Sequence, residues 1–286
     1  MSIQVRNLSH IYAKGMPDEQ VALDNVNFEI YDKEVVGVIG HTGSGKSTLL
    51  QHLNGLLKPE TGTIVIEDTD ITAPGVSMRE IRKKVGLVFQ YPEYQLFEET
   101  VEKDVEFGPK NLGLSDAEIT ERVKESLELV GIDYETFKDR SPFELSGGQK
   151  RRVAIAGVLA MNPSVLILDE PTAGLDPGAH RDILEMIKKV HERQENIILF
   201  VSHNMADVAE LSDKVLVMND GKLELFGTPE DVFAQQERLE SMGLNVPPVT
   251  ALMSELNRNG ADVKQGIWSV KEAKEEIYNY LQRKSQ

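Results

Sequence analysis

Short apolar runs of four or five residues, each bounded by polar turns, recur along most of this chain. Near the N-terminus the pattern alternates. Ile3-Gln4-Val5-Arg6-Asn7-Leu8 and Val26-Asn27-Phe28-Glu29-Ile30 put apolar side chains on one face, as half-exposed strands do. A polar, flexible stretch holding Tyr12, Gly15 and Pro17 separates them. Thr63-Ile64-Val65-Ile66 and Val85-Gly86-Leu87-Val88-Phe89 predict further strands. Later runs change character: Val165-Leu166-Ile167-Leu168, Ile197-Ile198-Leu199-Phe200-Val201 and Val215-Leu216-Val217-Met218 are apolar throughout and are separated by helical patterns. Such runs suit parallel strands buried on both faces. Asn219-Asp220-Gly221-Lys222 predicts a turn between two strands.

Between the two strand-rich parts the period shifts to that of a helix. Ser115-Asp116-Ala117-Glu118 is a capping box, followed by Ile119, Val123, Leu127 and Val130 at helical spacing. Residues from about Tyr91 to Leu145 therefore read as a helical insert, and the helical subdomain is placed at approximately 91–160. In the tail, Thr228-Pro229-Glu230-Asp231 begins a helix with a cap and then proline at the first position. Pro247-Pro248 interrupts the chain, and Ser269-Val270-Lys271-Glu272 is a second capping box, opening a final polar helix. The expected division is a main domain at 1–228 and a small helical appendage at 229–286. There is no internal repeat and no low-complexity tract.

The chemistry concentrates in Gly40-His41-Thr42-Gly43-Ser44-Gly45-Lys46-Ser47-Thr48. This stretch follows the apolar run Val35-Val36-Gly37-Val38-Ile39 and leads into the amphipathic Leu49-Leu50-Gln51-His52-Leu53. Strand, glycine loop and helix are the context in which G-x-x-x-x-G-K-[ST] cradles phosphates. Its backbone N–H groups turn inward, the helix adds the positive end of its dipole, Lys46 reaches the β- and γ-phosphates, and the Ser47 hydroxyl holds Mg²⁺. Asp169 and Glu170 end a predicted strand. The first suits a Mg²⁺ contact and the second is placed to orient or deprotonate an attacking water. Leu145-Ser146-Gly147-Gly148-Gln149 precedes a predicted helix whose N-terminus can face an anion.

Composition narrows the class. The 286 residues are enough for one large core plus an appendage, and 40% hydrophobic with 27% charged residues describes an ordinary globular protein. With no cysteine, neither a disulfide nor a thiolate metal site is available. A net charge of −16 argues against broad attraction to nucleic acid or anionic lipid, so membrane association is expected through a protein partner. No apolar run approaches the roughly 20 residues a spanning helix needs, and the N-terminus lacks a signal-peptide core.

Taken in order, the phosphate loop, Gln90, Leu145 to Gln149, Asp169-Glu170, Ala173-Gly174-Leu175-Asp176 and His203 resemble an ATP-binding cassette (ABC) transporter ATPase, up to about Gly227. Leu145-Ser146-Gly147-Gly148-Gln149 is identical to that family's five-residue signature. The resemblance implies an α/β fold: a RecA-like parallel-sheet core, an N-terminal antiparallel β subdomain, a helical subdomain and a small C-terminal helical appendage. It implies two subunits meeting head to tail, with each ATP between one phosphate loop and the other signature. It gives Tyr12 the part of the aromatic that stacks on adenine, and Gln90 a contact with Mg²⁺ or water. Asp176 becomes the residue that signals across the dimer, and His203 the contact to the γ-phosphate.

One cassette, no spanning segment and no long coiled coil leave an importer ATPase bound to separate membrane subunits. Tyr91-Pro92-Glu93-Tyr94-Gln95-Leu96-Phe97-Glu98-Glu99-Thr100-Val101, Phe107-Gly108-Pro109-Lys110-Asn111 and Ser241-Met242-Gly243-Leu244-Asn245-Val246-Pro247-Pro248 sharpen this. They resemble the ATPase subunits of energy-coupling factor (ECF) transporters, particularly the second of the pair. That resemblance implies a transmembrane coupling subunit docking near Glu93, Tyr94, Phe97, Glu98 and Glu99, and a substrate-binding membrane subunit reached through the complex. It also implies a peripheral position on the cytoplasmic face, uptake of vitamins or metal ions, and added dimer contacts from the appendage. An ordinary ABC importer ATPase and a soluble ABC regulatory module are the alternatives.

Overall fold

The computed structural model describes residues 2–284. Its strands are, in chain order, β1 (Ser2–Tyr12), β2 (Gln20–Tyr31), β3 (Val35–Ile39), β4 (Thr61–Ile66), β5 (Thr69–Asp70), β6 (Val85–Val88), β7 (Val165–Asp169), β8 (Ile197–Val201), β9 (Lys214–Asn219) and β10 (Lys222–Gly227). They form two sheets: an antiparallel one ordered β2-β1-β4-β5, and a six-stranded one ordered β10-β9-β3-β8-β7-β6. In the second, every neighbour is parallel except β10, which folds back on β9 through the expected turn.

The continuously apolar runs are the central strands of this sheet, because both its faces are covered. On β3, Val36 and Val38 enter a core shared with the antiparallel sheet, while Val35 and Ile39 enter one shared with the helical insert. Strand β8 divides the same way: Ile197, Leu199 and Val201 face one core, Ile198 and Phe200 the other. A strand buried on both faces has no position left for a polar side chain, so alternation vanishes.

The insert contains the helices Val101–Leu112, Asp116–Leu129 and Gly147–Leu159, with the one-turn helices Tyr134–Phe137 and Pro142–Glu144 between the last two. Ser115 and Glu118 form the expected reciprocal cap, and the apolar positions Ile119, Val123 and Leu127 are buried. Two elements were not foreseen: the two-residue strand β5 and the helix Met78–Lys84, whose single buried residue, Ile81, is too little pattern to read.

Two expectations move. Tyr12 is the last residue of β1, paired with Gln20 across the hairpin, and does not lie in a flexible stretch. The tail does not separate from the main body at 229. Val232, Phe233 and Leu239, on the helices Pro229–Phe233 and Gln236–Ser241, belong to the same core as the insert. An independent cluster of Met253, Val263, Ile267 and Ala273 forms only where the helices Pro248–Arg258 and Val270–Lys284 meet.

Because β3, β6, β7 and β8 are parallel neighbours or near neighbours, their C-terminal ends share one edge. There Gly40, Gln90, Glu170 and His203 follow Ile39, Val88, Asp169 and Val201 within a residue or two. Carboxyl ends of parallel strands are where open α/β sheets hold ligands.

Candidate nucleotide site

The loop after β3 is shaped by its own glycines and its lysine. Gly45 has φ +101°, and a Cβ there would stand 2.5 Å from the carbonyl oxygen of Ala22, so only glycine fits against β2. Lys46 opens the helix Lys46–Leu53 and turns back under the loop, where its Nζ donates to the carbonyls of Gly40 at 2.7 Å and His41 at 2.9 Å. Burial pushes the Lys46 ammonium below its ordinary pKa, against the opposing pull of Glu170 and Asp169. Beside it, the fully buried Ser44 hydroxyl has no hydrogen-bond partner.

The acidic end of the site is equally compact. Asp169 Oδ2 accepts from the Ser47 hydroxyl at 3.5 Å, a long contact. Burial first, and then the neighbouring Glu170 charge, raise the Asp169 carboxyl above its usual range. Glu170 occupies a left-handed backbone position, φ +51°. Its two oxygens are engaged on opposite sides: Gln90 Nε2 donates to Oε2 at 2.9 Å, and His203 Nε2 lies 2.8 Å from Oε1. Glu170 is thereby aimed by two residues that follow two other strands, β6 and β8.

These side chains line a cleft of ≈ 440 Å³ together with Tyr12, Thr42, Gly43, Gly45 and Thr48. Gln20 and Ala22, at the start of β2, complete its wall. Neither was among the expected site residues, since nothing local marks them; they arrive because β2 pairs with β1 beside Tyr12. Tyr12 is exposed on one side and its hydroxyl lies 3.3 Å from Thr48 Oγ1. His41 is not in the lining, and its ring stands 3.4 Å from Asp220.

The signature lies apart. None of Leu145, Ser146, Gly147, Gly148 or Gln149 lines the cleft. They form a reciprocal cap on the helix Gly147–Leu159: Gln149 N–H donates to Ser146 Oγ, and Ser146 N–H donates to the Gln149 side chain. A Cβ on Gly147 would meet nothing within 4 Å, so packing in this chain does not require glycine there. Asp176 is a helix cap too. It accepts from the N–H groups of Gly178 and Ala179, which hold its carboxyl below the usual range.

One expected contact residue is already committed elsewhere. Glu93 is bidentate to Arg151, at 2.7 and 3.0 Å, and Arg151 also donates to the carbonyls of Pro171 and Ala173. Arg151 is fully buried, so Glu93 cannot turn outward to a partner without stranding a buried charge. Its neighbours Tyr94 and Phe97 are exposed and Glu98 is half-buried, while Glu99 is exposed and paired with Lys103. Arg151 is the buried partner that sequence reasoning missed. In the string Lys150-Arg151-Arg152 nothing distinguishes a buried arginine from two on the surface.

The residues fit a triphosphate with a divalent cation. Two adjacent carboxylates, one with a raised pKa, face a serine hydroxyl and a lysine beside the unpartnered Ser44 hydroxyl, which is a cation's place between acid and phosphate.

Residues 23–173 match the family profile described as ABC transporter. Among curated proteins, the chain is 59% identical to the energy-coupling factor transporter ATP-binding protein EcfA2 of Caldanaerobacter subterraneus subsp. tengcongensis, over 98% of both chains. It is 57% identical to the EcfA2 of Clostridium perfringens, over 98% of this chain and 99% of that one. Among solved structures, cbiO1 from Clostridium perfringens, part of the ABC transporter complex cbiONQ, superposes with TM-score 0.74 at 40% identity. That match covers 88% of this chain and 98% of cbiO1. The dimeric ATP-binding cassette MJ0796, bound to ADP and Pi after hydrolysis, superposes with TM-score 0.69 at 31% identity, over 79% of this chain and 98% of MJ0796.

Proposed function

The chain belongs to the ABC transporter family, among its energy-coupling factor ATP-binding proteins, and from that premise we propose that it powers an ECF-type importer as a peripheral ATPase subunit on the cytoplasmic face of the membrane. The observation that carries this reading is the division of the site: Glu170 is aimed by Gln90 and His203 beside the phosphate loop, while the signature stands outside that cleft. A second cassette supplies the missing face. Two chains meet so that each ATP is enclosed by one cleft and the other chain's Ser146, Gly147 and Gly148.

Each residue then has a part. Tyr12 stacks on the adenine. N–H groups of Gly43, Gly45, Lys46, Ser47 and Thr48 hold phosphate oxygens, and Lys46 exchanges its two loop carbonyls for the β- and γ-phosphates. Ser47 and Asp169, with Gln90 at hand, would hold Mg²⁺, which would supply charge neutralisation on the phosphates. Glu170 orients the attacking water and accepts its proton, and His203 contacts the γ-phosphate while fixing Glu170. The partner's signature donors complete the charge-stabilising shell. Asp176, which caps the helix Pro177–Gln194, reports closure across the dimer.

Closure is coupled outward through the segment after Gln90. Tyr94 and Phe97 offer apolar anchors and Glu98 and Glu99 offer charge to an arginine-bearing helix of a transmembrane coupling subunit. A separate membrane subunit selects the vitamin or metal ion. The C-terminal unit, with Leu252, Val270, Tyr278 and Leu281 exposed, adds dimer contacts. Among the described residues no helix is long and apolar enough to cross a membrane, so the coupling subunit holds the chain there.

Affinity purification of the tagged chain from detergent-solubilised native membranes tests this reading. A second cassette ATPase, one polytopic coupling protein and several small membrane binders are the expected companions. Two dedicated permease subunits would make it an ordinary importer, and recovery of no membrane protein would make it a regulatory module. Reversing charge at Glu98 and Glu99 together is expected to abolish recovery of the coupling protein; retention would remove those residues from the docking site.

A further inference from the structure

The rings of Tyr12, His10 and His52 stand in a row behind the nucleotide cleft. His10 and Tyr12 lie two residues apart on β1, and their ring centroids are 4.6 Å apart at 80°. His10 and His52 are 4.7 Å apart at 70°. Both imidazoles are buried, His52 completely, while Tyr12 keeps an open side toward the cleft. His10 Nδ1 has no hydrogen-bond partner, and His10 meets both neighbouring rings in edge-on geometry.

The row ends on the phosphate-loop helix, at one residue held twice. His52 Nδ1 lies 2.7 Å from the carbonyl oxygen of Thr48, and the Tyr12 hydroxyl lies 3.3 Å from the Thr48 hydroxyl. Tyr12 belongs to the antiparallel sheet and Thr48 to the helix that follows β3. Strand β1 and that helix are different elements, joined at this point by the ring row. Burial holds the His52 imidazole below its ordinary pKa, in agreement with a neutral ring that can sit against a second imidazole.

We propose that His10 is a positioning residue for nucleotide affinity: wedged between Tyr12 and His52, it sets the orientation of the adenine platform relative to the phosphate loop. A nucleotide spans both ends, so its affinity depends on whether the ring of Tyr12 faces the base when the phosphates are seated. His10 fills the space behind that ring and prevents it from swinging inward. A ligand made of phosphate alone does not sense the platform. This inference rests on Tyr12 being the adenine platform.

The test compares ATP with inorganic tripolyphosphate, each titrated calorimetrically with Mg²⁺ into the full chain. His10→Ala is expected to weaken ATP binding about 5-fold, the scale of one edge-to-face contact, and to leave tripolyphosphate within about 2-fold. His10→Phe, which keeps a ring in place, is expected to retain ATP affinity and guards against a folding defect in the alanine variant. In a Tyr12→Ala background, His10→Ala is expected to add nothing. Equal weakening of both ligands, or full additivity with Tyr12→Ala, would overturn the positioning role in favour of general support for the loop. A Tyr12→Ala effect on ATP without any His10→Ala effect would overturn this inference alone. Tyr12→Ala with unchanged ATP affinity would overturn the platform reading itself, and this inference with it.

Discussion

The cleft and the signature are built on opposite plans. In the cleft, charged side chains answer one another within the chain: Lys46 is tied to loop carbonyls and Glu170 is gripped by Gln90 and His203. In the signature, the Ser146 and Gln149 side chains cap one helix end between them, and a Cβ on Gly147 would meet nothing within 4 Å. A region that is internally braced is ready to act on a ligand. One whose glycines answer no internal demand leaves its surface open, as the proposed second cassette requires.

The sharpest way to break this comparison is to remove the group the cleft is arranged around. Glu170→Gln is expected to lower ATP turnover about 10³-fold while ATP still binds; near-normal hydrolysis in a coupled phosphate-release assay would remove Glu170 as the base. Gly147→Glu examines the other side. With nothing within 4 Å to collide with, it is expected to leave thermal unfolding unchanged yet reduce turnover about 10²-fold, the scale of losing preorganised donors. The two variants also check one another. In a dimer assembled from one Glu170→Gln chain and one Gly147→Glu chain, one cleft meets an intact signature. Where two copies of this chain pair, turnover well above that of either parent is therefore expected on mixing.

Two smaller effects probe what braces each region. Glu93→Gln leaves Arg151 buried with a weaker partner and is expected to cost about 2 kcal/mol by chemical denaturation. Burial alone would raise the Glu93 carboxyl, but Arg151 overrides it and holds it below the usual value of 4.5. The stability from this pair is therefore full above about pH 4.5 and lost as the pH falls through the lowered value, so wild type and variant should converge in acid. Smallest is Asp176: asparagine can accept from the same two N–H groups, so Asp176→Asn is expected to shift stability by under about 0.5 kcal/mol, against about 1 kcal/mol for Asp176→Ala.

Most of the cleft was legible because its parts are local. A phosphate loop is one turn between a strand and a helix, and Asp169-Glu170 marks the end of an apolar run. Ser115 and Thr228 cap helices by contacts three residues away, and those helices begin where expected. What was misread depended on distant neighbours. Tyr12 looked like part of a flexible stretch because its strand partner is Gln20, across a hairpin with shifted register. Glu93 looked like a surface acid because Arg151, 58 residues on, is invisible from its side. The helices after residue 229 looked detachable because nothing in Val232, Phe233 or Leu239 tells which core receives them.

By itself, then, the amino-acid order marked the candidate chemistry: a phosphate-loop pattern, an acid pair and a five-residue signature, each written within a few consecutive residues. Only the tertiary structure decided how they are deployed. Parallel strands carried Gly40, Gln90, Glu170 and His203 to one edge, left Gly147 facing away, and turned Glu93 inward to Arg151. The physical reason is range. Caps and loops are settled by contacts three or four residues apart, whereas a buried charge finds its partner only when the core closes around both.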